Sequence, residues 1–120
     1  MYAARDGRYL AAYQGHGSDS VSRWRITKRP GDATAWEDER TADVGAGATY
    51  SNLFRLPAEN GRIYNFHRGV GFNPNHMVSD DDGETFRYGG RLMSWRHPRQ
   101  TRGGGRPYPR YASNDVDSIH

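Results

Sequence analysis

The string Ser79-Asp80-Asp81-Asp82-Gly83-Glu84-Thr85-Phe86 constrains the fold of this chain more than any other part of it. It is a turn written in side-chain chemistry. The Asp81 carboxylate can accept hydrogen bonds from backbone N–H groups across the turn, and Asp and Gly are natural turn residues. Gly83 supplies a backbone angle that other residues avoid. Thr85 restarts a strand, and Phe86 is placed to insert between layers. The spacing predicts a hairpin joining two antiparallel strands, although an ordinary Asp-Gly hairpin carries some of the same cues. Asp80-Asp81-Asp82 also offers oxygens suited to calcium, but the fit of the whole string to a turn makes the structural role the stronger reading.

The rest of the chain agrees with a turn-rich β protein. It is polar, with a mean hydropathy of −1.01, yet 12% of its 120 residues are aromatic. Disordered chains lack aromatics, so this one is built to fold, and its length allows a single domain. Fifteen Gly and six Pro punctuate short runs, as expected of an all-β fold. The net charge is +3, and every basic residue but Lys28 is Arg. Charges of both signs are interspersed up to Asp82, and only Arg87 to Arg110 is one-sidedly basic. Nucleic-acid binders cluster positive charge on one face, so no nucleic-acid partner is expected, and Arg102-Gly103-Gly104-Gly105-Arg106 reads as a loop. The absence of Cys excludes disulfides and thiolate metal sites. His67, His76 and His97 meet no zinc spacing, and no metal ligands are assigned. No cofactor is expected, with a structural metal ion left open. No run approaches the ~20 apolar residues of a membrane helix. Met1-Tyr2-Ala3-Ala4-Arg5-Asp6 has neither the basic start nor the apolar core of a signal peptide.

An internal repeat organises the chain. Gly7-Arg8-Tyr9-Leu10-Ala11-Ala12-Tyr13-Gln14-Gly15-His16-Gly17 aligns with Gly61-Arg62-Ile63-Tyr64-Asn65-Phe66-His67-Arg68-Gly69-Val70-Gly71 at an offset of 54 residues, and Trp36 precedes Phe86 by 50. Periods of this size point to propellers or other repeat arrays. The expected fold is all-β, a piece of a β-propeller made of two four-stranded antiparallel blades and the start of a third. The first blade covers 1–44, with strands at Met1–Ala4, Arg8–Gln14, Val21–Thr27 and Trp36–Val44, and with Arg29-Pro30-Gly31-Asp32 at the equivalent turn. The second covers 45–97, with strands at Thr49–Leu56, Arg62–Arg68, His76–Ser79 and Arg91–Trp95. A linker follows over 98–107. Tyr108–Ser113 opens a third blade over 108–120, and Asp117–His120 stops inside its second strand. Two blades and a stub leave faces and edges uncovered, so further blades of a longer parent chain are the expected partners.

In such a fold, the ends of inner strands converge on the axis. Three residues stand out there. His16, flanked by glycines just past a strand, can act as a base near neutral pH or be a plain surface His. Tyr50, opening an inner strand, can transfer protons if nearby cations lower its pKa, or can be a packing residue. Arg68, at a strand end, can clamp a carboxylate with its fork or form a surface ion pair.

Taken in order, Asp6-Gly7-Arg8-Tyr9-Leu10-Ala11-Ala12-Tyr13, Gly15-His16-Gly17, Thr49-Tyr50-Ser51-Asn52, Arg62-Ile63-Tyr64, Arg68-Gly69, the Ser79–Phe86 string, and Arg106-Pro107-Tyr108 with Tyr111-Ala112-Ser113-Asn114 resemble the BNR-repeat family. Its turn motif is the Asp-box, matched here by Ser79, Asp81, Gly83, Thr85 and Phe86, and its relatives include seven-bladed ulvan lyases. The resemblance implies cleavage of a uronic-acid polysaccharide by β-elimination, an acidic polysaccharide as partner, and an extracellular or periplasmic parent. It implies His16, Tyr50 and Arg68 as catalytic residues, and Asn52, His67 and Tyr108 as substrate-binding ones. His67 departs from the pattern, which has an aromatic there. A further family His, in an Asp-Asp-His string, would fall upstream of Met1, so the 120 residues are expected to be inactive alone.

Two rivals remain. Phe54-Arg55-Leu56-Pro57 resembles the aromatic-Arg-Ile-Pro motif of sialidases, with Arg55 as the carboxylate ligand. A non-catalytic glycan-binding propeller would also use exposed Tyr, Trp and Arg.

Overall fold

The computed structural model describes residues 2–16, 19–93 and 108–120. The described residues form an all-β molecule of two antiparallel sheets. The first contains β1 (Tyr2–Ala3), β2 (Tyr9–Tyr13), β3 (Val21–Arg29), β4 (Asp32–Trp36) and β5 (Arg40–Asp43). β2 pairs with one edge of β3. β4 and β5 occupy its other edge in succession, with Arg29 opposite Asp32 and Val21 opposite Asp43. This sheet is therefore four strands wide. The second contains β6 (Thr49–Leu56), β7 (Arg62–Arg68), β8 (Pro74–Ser79) and β9 (Arg87–Arg91), paired in chain order. The sheets do not close into a ring, and none of the described residues forms a helix able to cross a membrane.

Strand alternation follows the sequence. Along β3, Ser22, Trp24 and Ile26 are buried while Val21, Arg23 and Arg25 are not. β2 and β7, the aligned strands of the repeat, each follow a glycine with positive φ, Gly7 at 82° and Gly61 at 75°. Three strand expectations are corrected. The Trp36–Val44 strand is broken at 37–39, beside a register shift in β3 between Thr27 and Arg29. The last strand of the second sheet begins at Arg87, directly behind the Asp81 turn, because Val78 already pairs with Arg87; expected residues 94 and 95 lie outside the described ones. Tyr108–Ser113 is no strand and makes one bridge, Ser113 to Ile119. There the Asn114 side chain accepts three backbone N–H bonds, from Val116, Asp117 and Ser118, each 3.0 Å, and so bends the chain into a turn. The expected linker, 98–107, lies outside the described residues.

The Ser79–Phe86 turn has the chemistry expected of it. Asp81 accepts from the Thr85 backbone N–H at 2.9 Å, the Thr85 hydroxyl at 2.5 Å and the Ser79 hydroxyl at 2.8 Å. Gly83 N–H donates to Ser79 Oγ at 2.8 Å, and Gly83 sits at φ +93°. Burial pushes the Asp81 carboxyl up, but the bonds from Thr85 and Ser79 outweigh it and hold its pKa below the usual value. Its neighbours face elsewhere. Asp80 pairs with Arg62 and Arg87 at 2.6 and 3.0 Å, and Asp82 accepts from the Arg5 backbone N–H at 2.9 Å.

This turn also joins the two sheets. Gly83 is buried against Leu10, and its carbonyl accepts the buried Trp24 indole N–H at 2.8 Å. Phe86 lies edge-on to Trp24 at 5.1 Å between ring centres. Leu10, Trp24, Ile26 and Ile63 form one core cluster, and Val44, Ala48 and Met77 a second; Phe86 packs on both. Around the rim, Glu37 and Glu84 each bridge Arg8 and Arg40, at 2.6–3.1 Å. These pairs are partly exposed, so they fix the relative position of the sheets more than they stabilise them.

Candidate functional site

The candidate site lies at one end of β6 and β7. Arg68 closes β7, and three aromatic rings surround its guanidinium. Its carbon sits 4.9 Å from the centre of Tyr50, 5.5 Å from Phe72 and 5.7 Å from Tyr108. Nη1–H donates to the Tyr108 hydroxyl at 3.2 Å, while the buried Nε–H finds no acceptor. Arg68 pairs with no carboxylate among the described residues. An arginine stacked on aromatic faces is held in place by cation–π attraction and keeps its charge for a ligand.

Two of those rings stand on strained backbone. Tyr50 has φ +62° inside β6, where the register with β7 shifts between Thr49 and Asn52. Phe72 has φ +59° just after Gly71. Bulky residues adopt positive φ at a cost of order 1–3 kcal/mol, and such outliers gather at functional sites. The distortion at Tyr50 is tied down by Asn52, whose Nδ2 donates to the Tyr50 carbonyl at 2.7 Å. It leaves Tyr50 47% exposed beside Arg68.

His16 reaches the same place from the first sheet. Its ring meets Tyr50 edge-on, 5.4 Å between centres, and its Nδ1 lies 3.5 Å from the Thr49 hydroxyl. Tyr108 also meets Tyr50 edge-on, 6.0 Å between ring centres. Beneath these groups is a cavity of about 280 Å³ lined by Tyr50, Asn52, His67, Arg68, Tyr108 and Tyr111, among others. His67 is buried, and desolvation lowers its pKa against the opposing pull of the Arg68 carbonyl.

Five of the six residues singled out in the sequence therefore line one cavity, and the sixth, His16, touches its rim through Tyr50. Gly17, next to His16, lies outside the described residues. Arg55 stands on β6 and is not among the residues lining the cavity. Sequence reasoning missed Phe72, Arg110 and Tyr111. Tyr111 stood within a family-like string, but nothing local marks Phe72, which reaches Arg68 only because the chain turns at Gly71. Among the described residues, no three His, Asp or Glu side chains gather as a metal cage.

Chemically, the arrangement offers a cation for an anionic group, three rings for the faces of a sugar, and an imidazole and a phenol side by side. No protein-family model, curated protein or solved structure matches this chain.

Proposed function

We propose that this is a carbohydrate-active BNR-repeat propeller segment whose parent is a polysaccharide lyase acting on uronic-acid chains. The observation that carries the reading is Arg68, held between Tyr50, Phe72 and Tyr108 with no carboxylate partner among the described residues, beside His16 and Tyr50 in edge contact. In this reading the guanidinium pairs with the uronate carboxylate and makes the proton on the adjacent ring carbon, C5, acidic. One of His16 and Tyr50 takes that proton. The C5–H electrons form the C4–C5 double bond, the C4–O4 bond breaks, and the leaving oxygen is protonated by the other residue. The products are a new chain end and an unsaturated uronate.

The test has two arms. The chain, joined to the coding sequence that flanks it, is incubated with ulvan and other uronate polysaccharides, and unsaturated uronate is followed by its ultraviolet absorbance. Uronate oligosaccharide binding is measured on the chain itself. Arg68→Ala is expected to lower affinity at least about tenfold, as loss of a charge-assisted pair does. Absorbance from no uronate polysaccharide would sink the lyase reading.

A second reading, glycan binding without turnover, draws on the exposure of Tyr50, Phe72 and Tyr108. His16→Ala separates the two: a lyase loses turnover, whereas a binding module keeps its affinity. A sialidase-like hydrolase built on Arg55 has less support, since Arg55 is half-buried and stands apart from the cavity.

A further inference from the structure

β6 and β7 do not keep one register. Asn52 stands opposite Phe66, and Thr49 stands opposite Arg68. Between these pairs β6 places two residues, Tyr50 and Ser51, against the single His67 of β7. One extra residue in one strand of an antiparallel pair is a β-bulge, a device that re-aims side chains beside active sites. An unbroken register would set Tyr50 opposite Arg68 and turn Thr49 to the other face of the sheet. The extra residue instead gives Thr49 the place opposite Arg68 and leaves Tyr50 outside the paired positions. Thr49 is buried with its hydroxyl 3.5 Å from His16 Nδ1, and the Tyr50 ring stands exposed against both His16 and Arg68.

A bulge whose first residue has positive φ is ordinarily built with Gly. Here that residue is Tyr50, at φ +62°. A bulky side chain resists this backbone, so the conformation needs a fastener. Asn52 Nδ2–H donates to the Tyr50 carbonyl at 2.7 Å, across the bulge. Asn52 itself is fixed in the ladder opposite Phe66. The bond therefore ties the displaced residue to the nearest regular pair.

Resting on the reading of Tyr50 and Arg68 as working groups of the cavity, we infer that Asn52 is a positioning residue: it fastens the Tyr50–Ser51 bulge, and the bulge aims the Tyr50 ring at His16 and Arg68. The family resemblance makes Asn52 a substrate contact, whereas the geometry turns its donor onto the protein's own backbone. Its work is done before any sugar arrives, by holding the imidazole and the phenol in edge contact. Groups arranged in advance need less reorganisation when they act.

Two measurements test this, both on the full chain without ligand, so their outcome is independent of whether a uronate binds. The first follows histidine ring protons by NMR. Tyr50→Gly removes the ring and sets the size of the His16 shift for complete loss of contact. Asn52→Leu keeps a branched side chain without donor or charge. It is expected to move the His16 signals part of the way to their Tyr50→Gly position, while those of His76 and His120 stay in place; Asn52→Ala gives the same reading if the Leu variant does not fold. The second is a double-mutant cycle in urea. Loss of the bond is expected to lower the midpoint by about 0.5 M in the native background. In the Tyr50→Gly background the loss should be much smaller, because Gly takes positive φ unaided. Unmoved His16 signals in the Asn52 variants would overturn the inference and leave the side chain to the substrate. A shift shared by His76 and His120 would also overturn it, since it marks a general loosening, and so would an equal midpoint loss in both backgrounds, since the bond would then not serve the Tyr50 conformation.

Discussion

Replacing Gly83 by Ala tests how the two sheets are held together. Two costs add at this position. The first is conformational: at φ +93° an L-residue is disfavoured by about 1–2 kcal/mol. The second is steric. A Cβ on Gly83 would overlap the Leu10 Cδ1 methyl and stand 3.6 Å from Ile26 Cδ1. Leu10 and Ile26 are fully buried, so neither can swing out to water. Overpacking of this kind costs about 1–3 kcal/mol. The sum is about 2–5 kcal/mol, a large part of the roughly 6–18 kcal/mol expected for a domain of this length. Gly31→Ala is the matched control. Gly31 has φ +67°, and nothing lies within 4 Å of the place its Cβ would take, so only the conformational part applies. Urea unfolding followed by tryptophan fluorescence reads both. At a slope of about 2 kcal/mol per molar, the midpoint should fall by roughly 1–2.5 M for Gly83→Ala and by roughly 0.5–1 M for Gly31→Ala. If the two variants fall equally, the turn is not pressed into the first sheet and the account of the interface is refuted.

Other outcomes follow from the same contacts. Trp24→Phe leaves the buried Gly83 carbonyl without its donor and should cost at least about 1–3 kcal/mol in the same urea experiment; a smaller loss would mean the indole bond is not formed in solution. Asp81 has a folded pKa below its unfolded one, so its contribution is complete above about pH 4 and is lost as pH falls through the folded value. Asp81→Asn should therefore be less stable than the native chain at neutral pH and close part of that gap by about pH 2, and a gap that stays constant across this range would show that the Asp81 charge is not what the turn uses. Together with the Arg68 and His16 variants, these separate the integrity of the fold from the work of the cavity.

The sequence carried the fold at the level of local chemistry. The Ser79–Phe86 turn is legible because its side chains bond to its own backbone, within four residues. Alternation along Val21–Arg29 is legible because one face of the strand is buried. The break between β4 and β5 was hidden, since residues 37–39 carry neither Gly nor Pro, and so was the loose form of 108–120, which a side-chain turn at Asn114 decides. The cavity was half legible. Strand-end positions brought out His16, Tyr50 and Arg68, and the family resemblance added Asn52, His67 and Tyr108, but the positive φ of Tyr50 and Phe72 arises at the β6 register shift and in the turn after β7.

The bond from Trp24 to Gly83 spans 59 residues, and that from Arg5 to Asp82 spans 77. This separation has a consequence during synthesis. The last strand of the first sheet ends at Asp43, whereas the residue that finishes covering its apolar face is Phe86. At about 5–20 residues per second, the ribosome needs roughly 2–9 s to make the intervening chain. For those seconds the cover of the Leu10, Trp24 and Ile26 face is incomplete, with Leu53 and Ile63 made first and Phe86 last. It is then a surface for a chaperone, or for another nascent copy, before it becomes the middle of a protein.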